Sequence, residues 1–255
     1  MRKAMVIILL TFLSYNAFSA TKQELNNALL TAAKKGNLTE VKSLLTKGAK
    51  INVKDKKGKT ALMFATEQGH FKIVKYLISK GASVKVKEKF GCTVLMHTCI
   101  RGSLDIMKYL VSKGADVNAK NKSGVTALMI ASYFWHLNIV KYLIFKGANV
   151  REKDKFGNTA LMIACRGGSL DVVKYLVSEG ADVNVKNKSG ETALIYACFE
   201  ASLIGNLNIV KYLISKGARV NSKDKKGNTA LDYAEKKSIK RYLLSVGAKS
   251  GKDIK

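Results

Sequence analysis

Two glycine ladders run through the chain in phase. Gly58, Gly91, Gly124, Gly157 and Gly190 follow at steps of 33 residues, and Gly227 comes after a step of 37. Gly48, Gly81, Gly114, Gly147 and Gly180 keep the same step of 33, then Gly217 follows after 37 and Gly247 after 30. Both ladders slip at the same place. The sixth unit therefore carries a four-residue insertion, and the seventh is three residues short. A fixed period of this length argues against one globular core. Each unit is a supersecondary element that cannot bury its own apolar face, and stacked neighbours bury each other's.

The unit reads the same way each time. In Asp154-Lys155-Phe156-Gly157-Asn158-Thr159-Ala160-Leu161-Met162-Ile163-Ala164, a glycine turn precedes Thr and a short apolar run. Thr60, Thr93, Thr126, Thr159, Thr192 and Thr229 stand where a helix begins. A threonine hydroxyl oxygen there accepts from a free helix N–H. Ala65, Ala131, Ala164, Ala197 and Ala234 follow five residues later and let a neighbouring helix come close. A second, amphipathic helix follows, as in Leu170-Asp171-Val172-Val173-Lys174-Tyr175-Leu176. It ends in Gly-Ala, with glycine where the backbone needs positive φ. An extended arm such as Val183-Asn184-Val185 leads to the next turn.

This pattern resembles the ankyrin repeat family over about residues 23–249, five to six times in phase. The resemblance implies an all-α solenoid of about seven helix-turn-helix units joined by short β-hairpin loops. The expected boundaries are a capping unit at 21–54, repeats at 55–87, 88–120, 121–153, 154–186 and 187–223, a shortened capping unit at 224–249 and a basic tail at 250–255. The family's Thr-Pro-Leu-His is here Thr159-Ala160-Leu161-Met162 and its sisters, without the helix-starting proline. The resemblance also implies that partners are gripped by the hairpin tips and the ends of the first helices, on the concave side.

Residues 1–20 read as an export signal. Arg2 and Lys3 precede an apolar run from Ala4 to Leu13, and Ala17-Phe18-Ser19-Ala20 offers small residues for cleavage. The run of ten is about half of what a bilayer-spanning helix needs. The alternative is an uncleaved anchor or a buried first helix. No later apolar run approaches membrane length, so a chain without a transmembrane span is expected, periplasmic or secreted, and monomeric.

Catalysis needs a nucleophile, a base and charge-stabilising groups within hydrogen-bond reach, and nothing here supplies that set. No cofactor is expected, and a non-enzymatic role is. His70 and His136 share a register two units apart, about 20 Å, too far to share a metal. Cys92, His97 and Cys99 are near one another in sequence, but Cys99 recurs in register as Cys165 and Cys198. Stacked small core residues explain that better than zinc.

The net charge is +27, from 45 Lys plus Arg against 18 Asp plus Glu. The lysines form columns. Lys56, Lys89, Lys122, Lys155, Lys188 and Lys225 stand at the hairpin tips, with Lys54, Lys87, Lys120, Lys153, Lys186 and Lys223 two residues before them. Further columns run along the second helices. Two readings compete: a polyanion or anionic-surface binder with a long positive field, or solvated positions multiplied by repetition. Asp55, Glu88, Asp154 and Asp224 partly offset the tips. Nothing resembles a sequence-reading nucleic-acid element.

The units depart from one another at the ends of the first helices. There stand Ile100 and Arg101, then Tyr133, Phe134 and Trp135, then Arg166, with Trp135 in the place of Gly69, Gly102 and Gly168. Three consecutive aromatics cannot all face one helix core. The tips add Phe90 and Phe156, and the insertion adds Phe199 and Leu203. Trp, Tyr and Arg are the common anchor types of protein interfaces. The expected function is protein binding through this patch, with the tips steering an acidic partner. The competing reading is local repacking, with Trp135 and Leu203 covering each other.

Overall fold

The computed structural model describes residues 21–204 and 207–254, apart from the side chains of 200–204. The export segment expected at 1–20 and the Leu203 side chain lie outside the described residues. Helices come in pairs. α1 is helical through 21–35 and pairs with α2, Leu38–Thr46. The next pairs are α3 (Ala61–Glu67) with α4 (Phe71–Ser79), α5 (Val94–Arg101) with α6 (Leu104–Ser112), and α7 (Ala127–Tyr133) with α8 (Leu137–Phe145). They are followed by α9 (Ala160–Gly167) with α10 (Leu170–Ser178), α11 (Ala193–Ile204) with α12 (Leu207–Ser215), and α13 (Ala230–Tyr233) with α14 (Lys237–Ser245). The odd helices from α3 to α13 stack in one layer and the even ones in a second. The result is an all-helical solenoid.

Each threonine stands at the start of its first helix. Thr60, Thr93, Thr126, Thr159 and Thr192 accept from the N–H three residues on, at 3.3–3.4 Å. Ala65, Ala131, Ala164 and Ala197 are fully buried, as close helix approach requires. The insertion is absorbed in α11, which has 12 residues where α7 has 7 and α9 has 8. Four extra residues are about one helical turn of 3.6.

Between helix pairs the hairpins are slighter than expected. Among the described residues they contain no extended strand. Each of four keeps one antiparallel bridge, Lys54 to Thr60, Lys87 to Thr93, Lys120 to Thr126 and Lys153 to Thr159. Side chains hold the turns instead. Asp55 Oδ1 accepts from Lys57 N–H and Lys59 N–H at 2.8 Å each. Glu88 repeats this at 2.9 Å with Phe90 and Cys92, and Asn121 with Ser123 and Val125. These carboxylates and amides are structural turn acceptors, not merely counterions to the lysines.

Neighbouring tips are joined backbone to backbone. The N–H groups of Lys89, Lys122, Lys155, Lys188 and Lys225 donate to the carbonyls of Lys57, Phe90, Ser123, Phe156 and Ser189 at 2.8–2.9 Å. The first glycine ladder makes room for these bonds. At Gly124 φ is +79, and a Cβ would lie 2.9 Å from Lys155 N. The second ladder has a different reason. At Gly147 φ is +84, but a Cβ would meet nothing within 4 Å. The carbonyl of Gly147 accepts from Asn118 Nδ2 at 2.9 Å, and Asn118 Oδ1 accepts from Asn149 N–H at 3.1 Å. Asn184 and Asn221 repeat this bridge to Gly217 and Gly247.

The end of the chain folds back onto the last unit. Asp232 accepts from Ser250 Oγ at 2.6 Å and from Gly251 N–H at 2.8 Å. Lys223 Nζ donates to the Ile254 carbonyl at 2.6 Å, as Lys186 Nζ does to Lys223 at 2.8 Å. Residues 250–254 thus extend the repeat pattern.

The two ladders separate in stability. Gly147→Ala bears only the left-handed backbone penalty, about 1–2 kcal/mol. Gly124→Ala bears the same penalty and also crowds an inter-unit hydrogen bond, adding about 1 kcal/mol or more. Denaturant titration of both variants checks this, and equal losses would contradict it.

Candidate functional site

The three consecutive aromatics lie where α7 ends. In sister units the chain leaves the first helix through a left-handed glycine, Gly102 at φ 81 and Gly168 at φ 85. Here Trp135 takes that conformation at φ 65, the one non-glycine residue with positive φ among those described. A bulky residue there costs about 1–2 kcal/mol. The next unit is matched to it. Trp135 Nε1–H donates to the Gly167 carbonyl. Gly167 stands where sister copies have Gln68, Arg101 and Phe134, and a Cβ on it would come within 2.6 Å of the Tyr133 carbonyl oxygen. The extra side chain at 135 and the missing one at 167 belong together.

All three rings are exposed, Tyr133 by 44%, Phe134 by 41% and Trp135 by 55%. Tyr133 and Phe134 meet edge to face at 5.2 Å, and Phe134 stacks on the His136 imidazole at 6.3 Å. Tyr133 and Phe134 line a largely apolar cavity of about 200 Å³ together with Val125, Met129, Ile130 and Ile163, and Asp154 joins them. A second cleft of about 300 Å³ lies further along the array, where Arg166, Glu191, Tyr196, Phe199, Lys226 and Tyr233 converge. Phe199 and Tyr233 meet there edge to face at 6.0 Å.

The sequence-predicted residues thus divide. Tyr133 and Phe134 share the apolar cavity, and Trp135 stands beside them. Arg166 and Phe199 share the second cleft. Ile100 and Arg101 are exposed at the end of α5, and the Ile100 carbonyl lies 3.3 Å from His136 Nε2. Phe90 and Phe156 are exposed on tips two units apart. Sequence reasoning missed Ile130, Ile163, Tyr196 and Tyr233. They share one register, four residues after the capping threonine, with Phe64 and His97 as their sisters. Variation down that register was the available signal. Phe145 was missed too. It is 78% exposed at the end of α8, where sister helices have Ser79, Ser112 and Ser178.

The lysine columns are not equivalent. Lys54 Nζ and Lys87 Nζ donate to the carbonyls of Lys87 and Lys120 at 3.4 and 3.1 Å. Lys120 pairs with Glu152 at 2.8 Å. This column tethers neighbouring hairpins. On the second helices, Lys42, Lys141 and Lys211 lie 5.5 Å over the rings of Tyr76, Tyr175 and Tyr242 in the next unit. Such contacts are attractive within about 6 Å. The tip lysines Lys56, Lys89, Lys122, Lys155, Lys188 and Lys225 are exposed.

His97 is buried, and neither ring nitrogen has a hydrogen-bond partner. Its Nδ1 is 3.7 Å from Glu67 Oε1. Burial, then the Lys59 cation, hold its pKa below the ordinary 6.5, against the pull of Glu67 and Glu88. Cys99, Cys165 and Cys198 are buried in the core, and burial pushes their thiols up, that of Cys198 to about 12. Such thiols are poor metal ligands and nucleophiles. Among the described residues no group of three or more His, Cys, Asp or Glu is arranged to hold a metal. None of their helices is long and apolar enough to cross a membrane.

The three-copy ankyrin-repeat profile matches at residues 3–88, 83–154 and 136–224, so the chain belongs to the ankyrin repeat family. The first match begins inside the segment read as an export signal. The crystal structure of the human ASB11 ankyrin repeat domain superposes with a TM-score of 0.77 at 26% identity, covering 87% of this chain and 98% of that one. No curated protein matches the sequence. Ankyrin repeats are generally protein–protein interaction modules, and the family is typically a non-enzymatic scaffold.

Three substitutions probe the unusual residues. Trp135→Gly removes the left-handed penalty along with the indole bond, so stability stays within about 1 kcal/mol of the parent. Trp135→Ala keeps the penalty and loses the bond, and falls below Trp135→Gly in thermal melting. For His97 the folded pKa is the lower one, so the unfolded chain takes up the proton first. Its contribution therefore weakens as pH falls from 6.5 toward the folded value. His97→Ile, the residue of two sister units, should raise the Tm more at pH 5 than at pH 8. A gain independent of pH would contradict this.

Proposed function

We propose that the chain is a non-enzymatic protein-binding scaffold acting outside the cytoplasm, as a monomer, after loss of residues 1–20. It grips its partner on the concave face, centred on Tyr133, Phe134 and Trp135, with Arg166 and Phe199 one and two units further on. The tip lysines steer an acidic partner toward this face. One observation carries the proposal: three neighbouring aromatics are exposed, two of them lining an apolar cavity and the third, Trp135, in a strained conformation no sister unit needs a side chain to adopt. Strain kept where glycine would relieve it fits a side chain retained for binding. Exposed Trp and Tyr beside an apolar cavity are typical anchors of an interface.

The exposed line of tip lysines favours a second reading, an electrostatic adaptor for an anionic polymer or envelope surface. Fewer lysines serve it than composition implied, because several members of two other columns tether hairpins or cover tyrosines.

Pull-downs with residues 21–255 at about 0.1 M and about 0.5 M salt separate the two, since polyanion contacts weaken steeply over that range. A discrete protein retained at the higher salt is expected. The Tyr133/Phe134/Trp135 triple Ala variant should lose at least about 2 kcal/mol, or about thirtyfold in Kd. Unchanged binding by that variant, with loss on Lys→Glu changes at the six tips, would establish the adaptor instead.

A further inference from the structure

The hairpin tips present two exposed rows. The first is lysine throughout, at Lys56, Lys89, Lys122, Lys155, Lys188 and Lys225. The second, one residue on, reads Lys57, Phe90, Ser123, Phe156, Ser189 and Lys226. Phe90 is 62% exposed and Phe156 65%. The bonds between tips run from one row to the other. From Lys89 onward, each N–H of the first row donates to the second-row carbonyl of the unit before it, at 2.8–2.9 Å. The backbone therefore holds the rows in register, and Phe90 and Phe156 stand at equivalent places on one edge. Neither row contains an acidic residue. Asp55, Glu88, Asp154 and Asp224 precede the rows, and each accepts two N–H groups of its own turn. Glu88 and Asp224 are buried there. Among the described residues the ion pairs involve Lys59, His97 and Lys120, and no lysine of the two rows is in one.

The edge thus carries free cations with two apolar rings set among them. Ammonium groups are drawn to the headgroups of anionic lipids. Exposed apolar side chains gain by entering the boundary between headgroups and acyl chains. We propose that the tip edge docks on an anionic lipid bilayer, with the lysines against the headgroups and Phe90 and Phe156 inserted between them. A soluble acidic polymer would use the lysines but offers the rings no apolar place. Single-stranded nucleic acid stacks on aromatic rings along a groove, whereas these rings stand on separate exposed turns with that of Ser123 between them. The proposal goes beyond the protein-binding role, which uses the ends of the first helices. It takes the electrostatic reading of the tips further, to a surface of stated chemistry.

The test is co-sedimentation with vesicles of phosphatidylcholine alone, and of phosphatidylcholine and phosphatidylglycerol in equal parts. The full chain is compared with residues 21–255, which contain the whole helical array, so that the apolar run from Ala4 to Leu13 is not mistaken for the edge. Residues 21–255 should bind the anionic vesicles at least about tenfold more tightly than the neutral ones. Phe90→Ser with Phe156→Ser installs the residue of two sister tips, so the fold stays, and binding should weaken at least about fivefold. Lys89→Glu, Lys122→Glu and Lys155→Glu together should weaken it at least about thirtyfold. The Tyr133/Phe134/Trp135 triple Ala variant should bind vesicles like the parent. Each variant is first shown to melt like the parent. Loss with the Lys→Glu changes but none with the Phe→Ser pair would overturn the proposal and leave the purely electrostatic reading standing. Binding kept by both tip variants would overturn the two together. Binding that needs residues 1–20, binding lost in the aromatic triple variant, or no binding would each overturn the proposal. Tighter retention of oligothymidylate than of vesicles, weakened by the Phe→Ser pair, would give the edge to single-stranded nucleic acid instead.

Discussion

The backbone bond between neighbouring hairpin tips is the contact on which the array depends. It joins units without using a side chain, so the tip residues can vary while the stacking stays the same. It needs the tips to approach closely, and only glycine leaves the space, as at Gly124 beside Lys155 N. The turn acceptors Asp55, Glu88, Asn121 and Asp154 hold each tip in shape for the bond. With the tips aligned, the first helices stack on their buried alanines and the second helices close the outer layer. Regularity is thus enforced from the hairpins, and side chains at the ends of the first helices are left open to other uses.

Most of this fold was legible in the sequence because it is periodic. The two glycine ladders, the capping threonines and the small residue five positions on each recur at a fixed register, and each has a local physical cause. The hairpins were less legible. The expected short β-hairpins keep only an isolated bridge, because side-chain acceptors hold the turns in place of a strand ladder. The helix column of lysines read as solvated or polyanion-binding, whereas several of its members cover tyrosine rings in the next unit. That pairing joins residues about one unit apart, so no local pattern within a unit reveals it.

The candidate site was legible in part. Tyr133, Phe134 and Trp135 stood out because three adjacent aromatics cannot share one buried face, and all three are exposed. The cavity walls did not stand out. Ile130 and Ile163 look like ordinary core residues, and only stacking places them together under the aromatic rim. The compensation between Trp135 and Gly167 was equally hidden, since the missing side chain at 167 has meaning only against the indole of the unit before it. Functional departures in a repeat protein are thus visible singly in the sequence, but their partnerships require the stacked neighbours.

The binding face is tested most directly by amide hydrogen exchange of the chain alone and bound to the protein it retains at about 0.5 M salt. New protection is expected at the end of α7, through Trp135, and at the end of α9, around Arg166 and Gly167, with the layer of second helices unchanged. Protection confined to the hairpin tips, with the ends of α7 and α9 exchanging as before, would contradict it and make the lysine edge the working surface.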